Sequence, residues 1–142
     1  MKLSQNFTLG EFTLSQTASR LGIDNTPSEG VIKNLIKTAK GMEEVRVLLG
    51  NRVILISSGY RGQELNKAVK GSTSSQHLIG KACDFTCPSF GDVNSIMKAI
   101  TSSGINYDQC ILEFNSWIHI SFSDANRKQS LVIDKNGTRE YV

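Results

Sequence analysis

Long apolar runs are missing from this 142-residue sequence. No stretch approaches the ~20 consecutive apolar residues of a membrane-spanning helix, so no membrane insertion is expected. The opening segment, MKLSQNFTLGEFTLSQ, lacks the continuous apolar core of a secretory signal. Synthesis in the cytoplasm without a signal peptide is the expectation. Cysteine is scarce and odd in number: Cys83, Cys87 and Cys110. That argues against a disulfide framework and for a reducing compartment. Cys83 and Cys87 have no second pair to complete a cysteine zinc site, and small buried hydrophobes are the simpler reading. Basic residues never gather into a block. The net charge is +3 and the pI about 8.8, so no nucleic-acid partner is expected, while an anionic surface such as a bacterial wall is compatible. Repeats, linkers and low-complexity tracts are absent as well.

What is present is globular: 39% hydrophobic and 20% charged residues. The length suits one domain, residues 1–142, with a real core. A monomer is expected. Near the N-terminus, Thr13 and Gln16 suggest a capping box for a short helix through Arg20, ended by Gly22. The segment from Thr26 predicts the main helix, with Thr26 as cap, Pro27 in the first turn and Glu29 completing the box. Its apolar residues Val31, Ile32, Leu35, Ile36, Ala39, Met42, Val45, Leu48 and Leu49 fall at helical spacing, and Gly50 stops it.

Residues 52–57, RVILIS, predict a buried strand. A turn and a short helix follow, then the polar loop GSTSSQH and a short strand KACDFT. Residues 89–103 predict a helix capped by Ser89 or Asp92, with Val93, Ile96, Met97 and Ile100 on one face. QCILEF and WIHISF are two further strands, and Asn136-Gly137 marks a hairpin. Helices come mainly first and strands later. The fold class is therefore α+β, with helices packed on a small central antiparallel sheet.

The chain has two histidines, His77 and His119. His77 precedes Asp84 by seven positions, with Gly80 between them to let the chain bend. Two imidazoles and a carboxylate suit a catalytic zinc with its fourth position open to water. Spacing alone leaves the bland readings open, since a strand histidine is usually a satisfied polar group and an aspartate entering a strand a turn residue. Hydrolysis also needs a base, for which Glu113 is the candidate. In one straight strand Glu113 and His119 would lie about 20 Å apart. A loop centred on Ser116 would instead make a hairpin and set Glu113 opposite His119. Asp108 is the next carboxylate to consider. Arg61, after SSGY, has the fork that grips a carboxylate, or is a solvated surface arginine.

SSGYR, LN, SSQHLIGKACDF and WIHISF together resemble the zinc D-alanyl-D-alanine carboxypeptidases and dipeptidases. These share their fold with lysostaphin-type peptidases and the hedgehog signalling domain. The string Ser75-x-His77-x-x-Gly80-x-Ala82-x-Asp84 matches the family signature, and a Trp-x-His follows downstream. The N-terminal FTLGEFTLSQTASRLGIDNTPSE resembles the short, single-domain phage endolysin-like and bacterial members. The resemblance covers residues 7–123; the remainder is read from propensity.

It implies that His77, Asp84 and His119 bind one catalytic Zn2+, that Glu113 is general base and acid, and that Arg61 holds or polarises the substrate. Ser75 would contact substrate or support the ligands. Two features depart from the pattern. The dipeptidases carry their glutamate three residues before the last zinc histidine, where this chain has Ser116. The classical carboxypeptidases carry a further histidine near the last ligand, where this chain has Phe114 and Trp117.

The expected function is a zinc-dependent peptidase of peptidoglycan stem peptides, either a D-Ala-D-Ala carboxypeptidase or a wall endopeptidase. It would act on the bacterial wall after release, as a phage lysis enzyme, or as part of a virion. The alternatives are a non-catalytic hedgehog-like zinc-binding module and a virion structural module.

Overall fold

Thr8 and Glu11 cap one another and start α1 (Leu9–Thr13). The expected box at Thr13 does not form, because the Thr13 hydroxyl donates back to the Leu9 carbonyl at 3.0 Å inside that helix. Ser15 instead caps α2 (Gln16–Leu21), and Gly22 ends it at φ +68. Thr26 is likewise not a cap. Asp24 takes both its N–H and its hydroxyl, at 3.0 and 2.6 Å. The cap of α3 (Glu29–Leu48) is Ser28, which accepts from the Val31 N–H at 3.2 Å. The computed structural model describes residues 1–142.

The later elements are β1 (Leu55–Ser58), α4 (Gln63–Ala68), a 3-10 turn (Gln76–Ile79), β2 (Ala82–Thr86), α5 (Val93–Thr101), β3 (Gln109–Glu113), β4 (Trp117–Ser121), β5 (Gln129–Asp134) and β6 (Gly137–Glu140). Asp92 caps α5, accepting from the Ser95 N–H at 2.8 Å. The first strand begins at Leu55, later than its apolar sequence suggests. Its ladder on β2 starts at Leu55↔Thr86, and beyond Thr86 lies Pro88, which has no N–H to continue it. The last turn falls at Lys135–Asn136, with Gly137 at φ +108 opening β6.

The six strands form one sheet in the order β1-β2-β4-β3-β5-β6. The fold is α+β, but the sheet is not wholly antiparallel: β5 runs parallel to β3. Both edges of β4 are taken, by β2 and β3. The chain leaving β4 therefore crosses the start of β3 and joins its free edge. Lys128 N–H bonds the Tyr107 carbonyl at 2.9 Å and Gln129 N–H the Asp108 carbonyl at 3.0 Å, which seats that crossing.

Strand alternation divides the sheet into two faces. Cys83, Phe85, Cys110, Leu112, Ile118 and Ile120 face the core, against Leu35, Ala39, Met42 and Val45 of α3 and Ile96, Met97 and Ile100 of α5. The three cysteines are free and buried there. Burial pushes the Cys110 thiol up to about 12, which leaves it an inert hydrophobe. The polar residues of the same strands, Asp84, Glu113 and His119, occupy the opposite face.

Candidate metal centre

Three elements deliver the ligand-type side chains. His77 stands on the 3-10 turn, whose start is capped by Ser75 and whose end is Gly80 at φ +77. Helix α3 holds that turn: Thr38 donates to the Gly80 carbonyl at 2.8 Å and Asn34 to the Ile79 carbonyl at 2.8 Å. Asp84 and His119 are directly opposed residues of β2 and β4. His77 is 2% exposed, and Asp84 and His119 are each 8% exposed. One potential ligand atom from each lies within 4.8 Å of the others.

The hydrogen bonds orient these groups. His77 Nδ1 lies 2.6 Å from the Gly59 carbonyl, which can only accept, so Nδ1 carries the proton. That turns Nε2 toward Asp84 Oδ1, 3.2 Å away. His119 Nδ1 lies 3.0 Å from the same oxygen. In the neutral tautomer His77 Nε2 and the carboxylate are both acceptors. Two acceptors face each other stably only around a cation or a shared proton. With such a proton on the histidines, burial still disfavours the Asp84 charge, yet the bonds from His119 and His77 outweigh it and hold the carboxyl well below the usual range. The donor set, two imidazole nitrogens and a carboxylate oxygen, fits a zinc ion.

Glu113 reaches the site by a different register from the one expected. The β3–β4 turn is Phe114–Asn115, both at φ +53, closed by Ser116 N–H to the Glu113 carbonyl at 3.0 Å. Glu113 therefore pairs with Trp117, and Ile111 is the residue opposite His119. Glu113 lies on the diagonal and still comes within 3.9 Å of His119 Nδ1. Burial raises the Glu113 carboxyl above its usual range, and the Asp84 charge adds to this; His119, Trp117 and Arg61 oppose it. The Trp117 indole N–H is buried without a partner. It is near enough to favour the charged Glu113 but outside hydrogen-bond geometry.

Arg61 is not a solvated surface group. Its backbone N–H bonds the His77 carbonyl at 3.0 Å, and its Nε donates to Asn66 Oδ1 at 3.2 Å. Its Nη atoms lie 3.5 Å from the Ser58 and Ser75 hydroxyls. Burial lowers its pKa, and the Asp84 and Glu113 charges counter this. Ser75 Oγ also accepts from the His77 N–H at 3.2 Å, so it supports the ligand turn. Asp108 is fully engaged. It accepts from Arg127 Nε at 2.8 Å and Nη2 at 2.9 Å, from the Arg127 backbone N–H at 3.1 Å, and from Gln76 at 2.9 Å. Those bonds, led by the Arg127 side chain, hold its carboxyl well below the usual range, so it is not a base in reserve.

One cleft of about 800 Å³ is lined by Arg61, Ser75, His77, Asp84, Glu113 and His119, the six residues to which the resemblance gives a role; Asp108 does not line it. Trp117, Gln76 and Arg127 also line it; Gln76 and Arg127 were not singled out from sequence, and Trp117 entered there only through the Trp-x-His motif. The Gly59 carbonyl was not foreseen either, since a backbone oxygen leaves no mark on residue type. Trp117 could have been placed in the cleft from sequence, being the single tryptophan and two positions from His119 on the same strand face.

A family model described as Peptidase M15 matches residues 5–121. No curated protein matches the chain significantly.

Proposed function

We propose, because the chain belongs to the peptidase M15 family, that it is a zinc-dependent hydrolase of peptide bonds in peptidoglycan stem peptides. The observation that carries this is the convergence of His77, Asp84 and His119 on one point, with the Glu113 carboxylate 3.9 Å from His119. His77 Nε2, an Asp84 oxygen and His119 Nδ1 would hold the ion. Zinc bound there supplies a Lewis acid that makes water acidic near neutral pH and polarises a carbonyl.

The chain's own residues do the rest. Glu113 takes a proton from the attacking water and returns it to the leaving amine. Arg61, held by Asn66 and flanked by Ser58 and Ser75, presents its fork to a substrate carboxylate or to the carbonyl oxygen that gains charge. Ser75 keeps the His77 turn and the Arg61 fork in step.

A non-catalytic zinc module needs neither a base nor an arginine in the cleft, so the geometry favours an enzyme. Within this reading the protein acts on the bacterial wall after release, as a phage lysis enzyme, or within a virion. Protein mass spectrometry of purified virions separates those last two settings. Digestion of purified peptidoglycan by the zinc-loaded protein, followed by mass spectrometry of the products, tests the activity and names the bond. Release of single D-alanine defines a carboxypeptidase, and cleavage within the stem or bridge an endopeptidase. No product from any wall, with one zinc bound, would leave the non-catalytic module as the reading.

A further inference from the structure

Arg127 lies beyond the residues that the family model matches, in the crossing from β4 to β5. It nevertheless lines the same cleft as His77, Glu113 and Arg61. Its side chain is 55% exposed, while that of its partner Asp108 is only 4% exposed. Asp108 grips Nε, Nη2 and the backbone N–H, which fixes the plane of the guanidinium. Nη1 has no protein acceptor in this network, so a rigid pair of N–H donors remains for a ligand. Gln76 donates to Asp108 Oδ2, the oxygen that also takes Arg127 Nη2, which ties this arginine to the turn that carries His77. Arg61 stands against Ser75 at the start of that turn. Two oriented guanidinium groups therefore flank one ligand turn, and Lys70 adds a third cation to the cleft.

We infer that Arg127 determines specificity by binding an internal carboxylate of the substrate, separate from the group that Arg61 takes. The preferred substrate is then a peptide carrying a free carboxylate within its length as well as its C-terminus. This inference rests on the peptidase reading of the cleft. A guanidinium held by a buried carboxylate is pre-organised, so less freedom is lost on binding than with a free surface side chain.

The test uses the zinc-loaded full chain and two synthetic stem peptides, L-Ala-γ-D-Glu-meso-diaminopimelate-D-Ala-D-Ala with both internal carboxylates free or with both amidated. The wild type should favour the free form by about tenfold in kcat/KM, one charge-assisted hydrogen bond's discrimination at a half-exposed site. Arg127→Gln should bring that ratio to about one, chiefly through KM. Removing Arg127 also strands the Asp108 charge, so Arg127→Gln combined with Asp108→Asn keeps the site uncharged and serves as the second variant. It should show the same lost preference. A variant ratio equal to that of the wild type, or a wild-type ratio of one, overturns the inference and leaves the peptidase reading standing. Cleavage of neither peptide by the wild type, with wall digestion also absent, overturns both.

Discussion

Glu113 combines two demands on a single side chain. As the proposed base it must be near enough to the candidate ligand cluster to serve the reacting water, yet must not join the cluster itself. Its diagonal position on the β3–β4 hairpin meets both. Glu113→Gln should therefore keep one zinc per chain and the wild-type melting temperature, while activity falls ~10²–10⁴-fold. Metal analysis beside a turnover assay checks this, and an active Glu113→Gln would remove Glu113 from the mechanism. The pH dependence has a definite sign. In the metal-free protein burial and the Asp84 charge raise the Glu113 pKa, so its carboxylate takes up a proton as pH falls through a value above the ordinary glutamate range of about 4.3. A bound zinc adds positive charge that opposes this rise, so the check is an NMR titration of the metal-free chain beside the zinc-loaded one. Asp84, held low, stays charged across that window. Asp108 behaves in the opposite sense to Glu113. Its folded pKa is depressed, so its pairing with Arg127 stabilises the protein above about pH 4 and that contribution fades as pH falls further. Asp108→Asn should cost about 2 kcal/mol near neutral pH. Denaturant melts at several pH values should show the gap from wild type narrowing in acid.

At the scale of elements, the hairpin shows what the sequence disclosed and what it withheld. Alternation placed Glu113 and His119 on one face, and they are on one face. The pairing was misplaced by two residues along the partner strand, because the loop was expected to centre on Ser116 and Phe114 did not look like part of the turn. A bulky residue at φ +53 is a poor advertisement for a tight turn, and Phe114 is also 49% exposed there. A shift of two preserves the face, whereas a shift of one would have put Glu113 in the core. The parallel β5 had no local signal at all, since it follows from which strand edges were already occupied. The clustering of His77, Asp84 and His119 was legible because its motif is local around His77 and Asp84. The orienting Gly59 carbonyl was not, because only the packing of α1 reveals it. A Cβ on Gly59 would come within 2.7 Å of Phe12 Cα, in the helix whose Phe12 carbonyl bonds the Tyr60 N–H at 2.7 Å. Gly59→Ala should therefore push α1 away and tilt the carbonyl that sets the His77 tautomer. The expected cost is about 1–3 kcal/mol of stability together with weaker metal binding. Calorimetric melts and zinc titration measure the two effects, and unchanged zinc affinity would detach α1 from the site.

Across the whole molecule, the sheet separates stability from chemistry. One face is filled by α3 and α5 and carries the core; the other carries the His77–Asp84–His119 cluster. The three candidate ligands come from segments that meet only in the folded chain: the 3-10 turn under α3, β2, and β4. An unfolded chain holds no such preformed site, so metal binding must add to folding free energy. Without a cation, the unprotonated Nε2 of neutral His77 faces Asp84 Oδ1, acceptor against acceptor, which costs stability in the same direction. For free zinc at 100 to 1,000 times the dissociation constant, mass action gives about 2.7–4.1 kcal/mol. At about 2–4 °C per kcal/mol for a chain of this size, a chelator should lower the melting temperature by roughly 5–16 °C. Adding zinc back should restore it, and the restored value should rise with the logarithm of free zinc. His77→Ala and His119→Ala should bind zinc weakly and respond little to the chelator. Glu113→Gln should respond as fully as the wild type, because Glu113 serves the reaction and does not hold the metal. A wild-type melting temperature indifferent to chelator and to added zinc would show that these three side chains only satisfy one another.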